Sequence, residues 1–112
     1  MIKDLNEWIE KLKIAEKIII VEGKKDKETL ENLNIKNIFA LNNKPLYKFI
    51  EEISQITKEV IILTDLDKEG KKLYSILKKD LQKHGVKIDQ IFREFLIQNT
   101  KLSCIESLEK II

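Results

Sequence analysis

The sequence predicts an α/β fold, a three-layer α/β/α sandwich around a mainly parallel four-stranded sheet. Residues 18–21 and 60–63 are unbroken Ile/Val/Leu runs, the pattern of strands buried on both faces. Segments of helical periodicity lie between the runs, and such alternation argues for right-handed βαβ units. Each run also ends in acid, Glu22 after the first and Asp65 and Asp67 after the second. If the two strands run parallel in one sheet, all three carboxylates emerge on the carboxyl edge, where open α/β folds bind ligands.

The elements follow in order. Ile2, Leu5, Ile9 and Leu12 make one helical stripe over residues 2–13, with Trp8 at its border. Strand one is expected over 17–22 and is broken by Gly23. Asp26 suits the N-cap of a short helix that turns Leu30 and Leu33 inward. Residues 37–41 read as strand two. Pro45 fits the first turn of a helix whose apolar face is Leu46, Phe49, Ile50, Ile53 and Ile56. Strand three is expected over 59–64. The longest helix, 69–84, presents Leu73, Ile76, Leu77 and Leu81 inward and stops at Gly85. Residues 86–92 read as a weaker fourth strand. Ser103-Cys104-Ile105-Glu106 has the form of a capping box opening a helix with Ile105, Leu108 and Ile112 on one side.

At 112 residues the chain is expected to form one domain, residues 1–112, with a core over about 15–92. The helix at 2–13 and a helical tail at 93–112 flank that core. Charged residues make up 36% and hydrophobic ones 43%, a folded rather than disordered balance. The net charge of +2 is too small to argue for nucleic acid by itself. Only one of the 21 basic residues is arginine, Arg93, a skew that carries no functional reading at this level. The single Cys104 excludes an internal disulfide and a Cys-rich zinc site, and its apolar neighbours suit a packed thiol. No run approaches the ~18 apolar residues of a membrane span, and no signal peptide is evident. A cytoplasmic location with no membrane partner is the expectation.

Carboxylates gathered on one edge repel by about 4 kcal/mol per close pair near a protein surface. A divalent cation is the natural remedy. Asp65-Leu66-Asp67 opens like a calcium EF-hand loop, but the twelfth position is Ile76 rather than Glu, and an apolar strand precedes the loop. No Gly-Lys-Ser/Thr P-loop is present. An aspartyl-phosphate phosphatase places its Asp-x-Asp after the first core strand, with Thr or Val where Glu69 stands. A receiver domain needs an acidic pair after strand one, where Glu22 is followed by Gly23. It also needs a hydroxyl residue where Arg93 and Glu94 stand.

Ile-Ile-Val-Glu-Gly-Lys-Lys-Asp at 19–26 and Val-Ile-Ile-Leu-Thr-Asp-Leu-Asp-Lys-Glu-Gly at 60–70 resemble the two signatures of the Toprim domain. That family is shared by type IA topoisomerases, DnaG-type primases, OLD-type nucleases, RecR proteins and the 5S ribosomal RNA maturases. The resemblance covers roughly residues 15–92 and is closest to small stand-alone archaeal members. It extends to Gly85-Val86-Lys87-Ile88-Asp89, Arg93 and Ile105-Glu106-Ser107-Leu108. Nothing in these 112 residues resembles a topoisomerase tyrosine domain, a primase zinc ribbon or an ATPase. The resemblance implies a Rossmann-like sandwich and Mg²⁺-dependent phosphodiester chemistry on RNA or DNA, of the nuclease or RNA-processing kind, with Mn²⁺ as a substitute. The alternative is a non-catalytic binding module, as in RecR-like proteins. A homodimer or protein partner could supply specificity.

By that resemblance Glu22 acts as general acid or base, and Asp65 and Asp67, with Glu22, hold the metal. Each acid also has a plainer reading. Glu22 can balance a helix dipole, and Asp65 and Asp67 can cap a turn. Asp26 is either a neighbour of the cluster or a simple cap. Glu69 either adjoins the metal site or is an ordinary first-turn acid. Gly23 and Gly70 allow close backbone approach or unusual dihedrals. Lys24, Lys25, Lys68 and Lys71, with Lys27 and Lys72, form a candidate nucleic-acid rim or a solvated face. His84 reads as a helix C-terminal dipole partner, and no aromatic stripe supports base stacking.

Overall fold

The computed structural model describes residues 1–112. Chain order is α1 (Leu5–Ile14), β1 (Ile18–Val21), α2 (Lys24–Asn32), β2 (Ile38–Ala40), α3 (Leu46–Ile56), β3 (Glu59–Ile62), α4 (Lys68–Lys83), β4 (Lys87–Asp89), α5 (Ile91–Asn99) and a 3-10 helix (Ile105–Lys110). The four strands form one sheet in the order β2-β1-β3-β4, and every pairing is parallel. Ile19 lies opposite Ile38 on one side and Ile61 on the other, so β1 and β3 are the central strands. The chain leaves β1 toward β2 on one side and returns to β3 on the other. That reversal makes the carboxyl ends of β1 and β3 the topological switch point of the sheet.

Alternate strand residues feed two cores, as the period of two requires. On one face Ile19, Val21, Ile61 and Leu63 pack with α1, α2, α5 and the 3-10 helix through Trp8, Leu30, Leu96 and Ile105. On the other, Ile20, Val60 and Ile62 pack under α3 and α4 through Phe49, Ile53, Leu77 and Leu81. This is the expected α/β/α sandwich with a four-stranded sheet, here parallel throughout. No helix is long and apolar enough to cross a membrane.

Several expected boundaries move, each for a local reason. Asp4 caps α1 by accepting the Glu7 N–H at 2.9 Å, which leaves Ile2 outside the helix. Trp8 is fully buried rather than marginal, and its Nε1–H donates to the Phe92 carbonyl at 2.9 Å. The expected strand at 86–92 is cut to Lys87–Asp89, because Phe92, Phe95 and Leu96 face the core from α5. Helical spacing there outweighs the β propensity of Ile91 and Phe92. Ile56 and Ile76, expected inward, are exposed at the rims of their helices.

The tail also differs from expectation. The segment after Cys104 is a 3-10 turn with no side-chain cap, so no capping box forms. The Ser103 carbonyl instead accepts the Leu66 N–H at 2.9 Å. Ile105 and Leu108 are fully buried while Ile112 is exposed. The tail thus contributes Phe95, Leu96, Ile105 and Leu108 to the core on one face of the sheet.

Gly70 is the tightest contact between the third strand's loop and its helix. A Cβ there would lie 1.9 Å from the Asp65 carbonyl oxygen, while the Thr64 hydroxyl donates to the Gly70 carbonyl at 2.8 Å. The neighbour is main chain and cannot rotate away. Gly70→Ala should destabilise the fold by about 3 kcal/mol through overpacking, visible as a lower urea midpoint. A midpoint equal to wild type would show that the loop gives way freely.

Candidate functional site

β1 and β3 are adjacent and parallel, so Glu22 and Asp65 leave the sheet side by side. The Glu22 Oε2 accepts the Asp65 N–H at 2.8 Å, joining the two tips directly. Asp65 Oδ1 accepts the Ile105 N–H at 3.0 Å. Asp67 caps α4, its Oδ1 accepting the Gly70 N–H at 2.8 Å. Each acid thus anchors one carboxylate oxygen on a backbone amide, and no second hydrogen bond engages the other oxygen.

Asp26 joins this group, and it caps α2 from the third helical position instead of standing at the N-cap. Gly23 occupies the N-cap position of α2, and Asp26, one turn in, accepts the Gly23 N–H at 3.0 Å. Its residue is only 8% exposed, which places a carboxyl in a largely dry position beside Asp65 and Glu22. Glu106 on the 3-10 helix adds its field to both Asp26 and Asp65. Glu69 is exposed and makes no side-chain bond. Gly23 has an extended backbone with room for a Cβ, so unusual dihedrals are not what requires glycine there.

Burial is the main reason that these carboxyls ionise reluctantly. It pushes Glu22 upward, with Asp65 and Asp67 adding repulsion, against the Asp65 amide and Arg93, which pull it down. Asp65 is raised for the same primary reason, opposed by the Ile105 amide and Arg93. Asp26 is pushed to about 6 by burial first and by Asp65 next.

One cation is built into the floor. Arg93, 3% exposed, donates from Nη1 to the Thr64 carbonyl and from Nη2 to the Asp65 carbonyl at 2.9 Å. Its guanidinium carbon lies 4.6 Å from the centre of the Tyr74 ring, a cation–π distance. The expected lysines stand around the edge: Lys24 and Lys25 in the first turn of α2, and Lys68 and Lys71 in the first turn of α4, all exposed. None is ion-paired; the salt bridges engage only Lys11, Lys13 and Lys17.

The donor set suits a hard divalent cation, since every free atom is a carboxylate oxygen. No three His, Cys, Asp or Glu side chains converge to hold an ion alone. Such an open arrangement fits Mg²⁺ better than Ca²⁺ or Zn²⁺, because Mg²⁺ keeps several waters and takes phosphate oxygens.

The Toprim domain model matches residues 17–93. The chain belongs to the Toprim family. It is 40% identical over 110 residues to the UPF0292 protein of Methanocaldococcus jannaschii, covering 93% of this chain and 86% of that one. It is 39% identical over 89 residues to the UPF0292 protein of Pyrococcus abyssi, covering 79% and 67%. Among solved structures, a protein from Aquifex aeolicus superposes with a TM-score of 0.88 at 36% identity, over 94% of this chain and 98% of that one. The Aquifex aeolicus primase, in its zinc-binding and RNA polymerase domains, superposes with a TM-score of 0.59 at 25% identity. The match covers 92% of this chain and 27% of the primase chain.

Asp26 supplies a pH test. The folded protein keeps its proton up to about pH 6, whereas an unfolded chain releases it near the ordinary aspartate value of 3.8. Between those values the folded state binds more protons, so stability falls as pH rises through the window, by about 3 kcal/mol. Asp26→Asn keeps the acceptor for Gly23 and removes the ionisation. It should unfold at higher urea than wild type at neutral pH, with the gap closing toward about pH 4. A gap that stays constant across that range would remove Asp26 from the coupled cluster.

Proposed function

We propose that this chain carries out Mg²⁺-dependent phosphodiester chemistry on nucleic acid, most simply as a nuclease or RNA-processing enzyme, with Mn²⁺ as a substitute ion. The supporting observation is the hydrogen-bonded pairing of Glu22 with the Asp65 amide at the switch point, with Asp67 two residues on. Asp65 and Asp67, with Glu22, are the residues that would hold the ion. When bound, the ion would polarise a phosphodiester and neutralise charge on its oxygens.

The protein's own groups have separate tasks. Glu22, raised by burial, is suited to take a proton from an attacking hydroxyl or return one to the leaving oxygen. The lysines at the first turns of α2 and α4 oppose the helix dipoles, a cost of about 0.3–1 kcal/mol each. Phosphates drawn into the rim would offset that cost, since lysines neutralise the backbone of any sequence. Membership of a family that includes a primase domain supports nucleic acid as the partner class. Residues 1–112 would act as one unit, because the tail reaches into the site through Ile105. With so little surface for specificity, a second copy or a protein partner is the natural supplement.

A second reading, a non-catalytic binding module, draws support from the absence of a closed protein-only metal cage. One assay separates the two. Purified protein with Mn²⁺ and a pool of structured and single-stranded RNA and DNA should yield cleavage. Glu22→Gln should lower that cleavage by about 100-fold or more. The Asp65→Asn/Asp67→Asn double variant should lose Mn²⁺ binding in calorimetry. Absence of cleavage, or cleavage unchanged in Glu22→Gln, would favour the binding module. Metal binding unchanged in the double variant would remove the site assignment itself.

A further inference from the structure

We infer that Arg93 is the positioning residue of the acidic edge, clamping two successive peptide units so that Asp65 meets Glu22 and the free carboxylate oxygens are set for a divalent cation. The cation part rests on the reading proposed above; the clamp rests on geometry alone.

The peptide joining Thr64 to Asp65 is trans, so its C=O and N–H point in opposite directions. Its carbonyl accepts from Arg93 Nη1, and its N–H donates to Glu22 Oε2 at 2.8 Å. Fixing one end of this plate therefore aims the other. The next peptide repeats the arrangement. Its Asp65 carbonyl accepts Arg93 Nη2 at 2.9 Å, and its Leu66 N–H donates to the Ser103 carbonyl at 2.9 Å. One planar guanidinium thus holds two consecutive carbonyls, and the opposite ends of those plates grip β1 and the tail.

Lysine cannot replace this fork, because its ammonium is a point charge on a flexible stem. That explains why the chain, otherwise furnished with lysine, places its single arginine here. Arg93 forms no ion pair with any carboxylate, so its hydrogen-bond partners are the main chain of the loop, and the Tyr74 ring packs on its guanidinium. The charge also polarises the first plate, which strengthens the N–H that reaches Glu22.

The opposing view is that Arg93 is only a nearby positive charge. The two views predict opposite signs. A spectator cation repels a metal ion, so Arg93→Met would then tighten Mn²⁺ binding and Arg93→Lys would leave it unchanged. A positioning arginine predicts weaker binding in both variants, by about tenfold.

The test measures two quantities in wild type, Arg93→Lys and Arg93→Met: the Mn²⁺ dissociation constant and backbone amide exchange by NMR. The Asp65 and Leu66 amides should exchange about tenfold faster in Arg93→Lys, while Ile20 and Ile62 keep their protection. A general loss of stability would accelerate all four alike and would overturn the proposal. Unchanged exchange at Asp65 in Arg93→Lys would overturn it too, as would tighter Mn²⁺ binding by Arg93→Met. If Arg93→Met does not fold, Arg93→Lys decides alone. If wild type binds no Mn²⁺, the metal reading falls and the exchange at Asp65 still decides the clamp.

Discussion

The hydrogen bond from the Asp65 N–H to the Glu22 carboxylate is the interaction around which the molecule is arranged. It can form only if β1 and β3 are neighbours, run in the same direction and end level with each other, conditions that the register from Ile18–Val60 to Ile20–Ile62 satisfies. Around it, Gly70 lets α4 approach the loop main chain, and Arg93 holds that main chain from beneath. Ile105 takes the near oxygen of Asp65. Each of these contacts reaches the same five-residue loop from a different part of the chain.

The electrostatic consequence is a site that works against the stability of its own fold. Glu22, Asp26 and Asp65 are all harder to ionise than free carboxyls, and burial is the largest cause for each. Lysines begin two helices whose N-termini favour acids. Local rules broken together, at one edge, are what a functional surface looks like when the remainder of the sequence is consistent with its fold. The opposite behaviour is seen at Lys17, which bridges Glu59 and Asp89 at 3.2 and 2.8 Å and ties β1, β3 and β4 together.

The sheet and the acid pair were legible because they rest on local signals. Unbroken Ile and Val runs mark buried parallel strands, and the acids that end them are carried to one edge by topology alone. What could not be read were contacts set by tertiary packing. Asp26 looked like a cap because its neighbourhood is polar, yet Gly23 took that position and left Asp26 one turn inside, facing Asp65. The fourth strand is shorter than its sequence suggests because Ile91 and Phe92 suit either period, and helical spacing lets Phe92, Phe95 and Leu96 face the core. Glu106 was legible only as part of a capping box that does not form, since its link to the site runs through a 3-10 turn. Arg93 did leave one: a lone arginine among lysines marks a place where a planar fork is needed.

The tail's contacts with the third strand's loop also order events in time. Ile105 lies 40 residues beyond Asp65, and Asp65 lies 43 beyond Glu22. At synthesis rates of roughly 5–20 residues per second, Asp65 precedes Ile105 by about 2 to 8 seconds. Throughout that interval the growing polypeptide carries all three carboxylates while Asp65 lacks its amide partner and the Leu66 amide is free. Loop closures of this length are among the slower steps in assembling a small domain. The acidic edge is therefore complete only once the tail has been made, because the Ile105 N–H and the Ser103 carbonyl are parts of it.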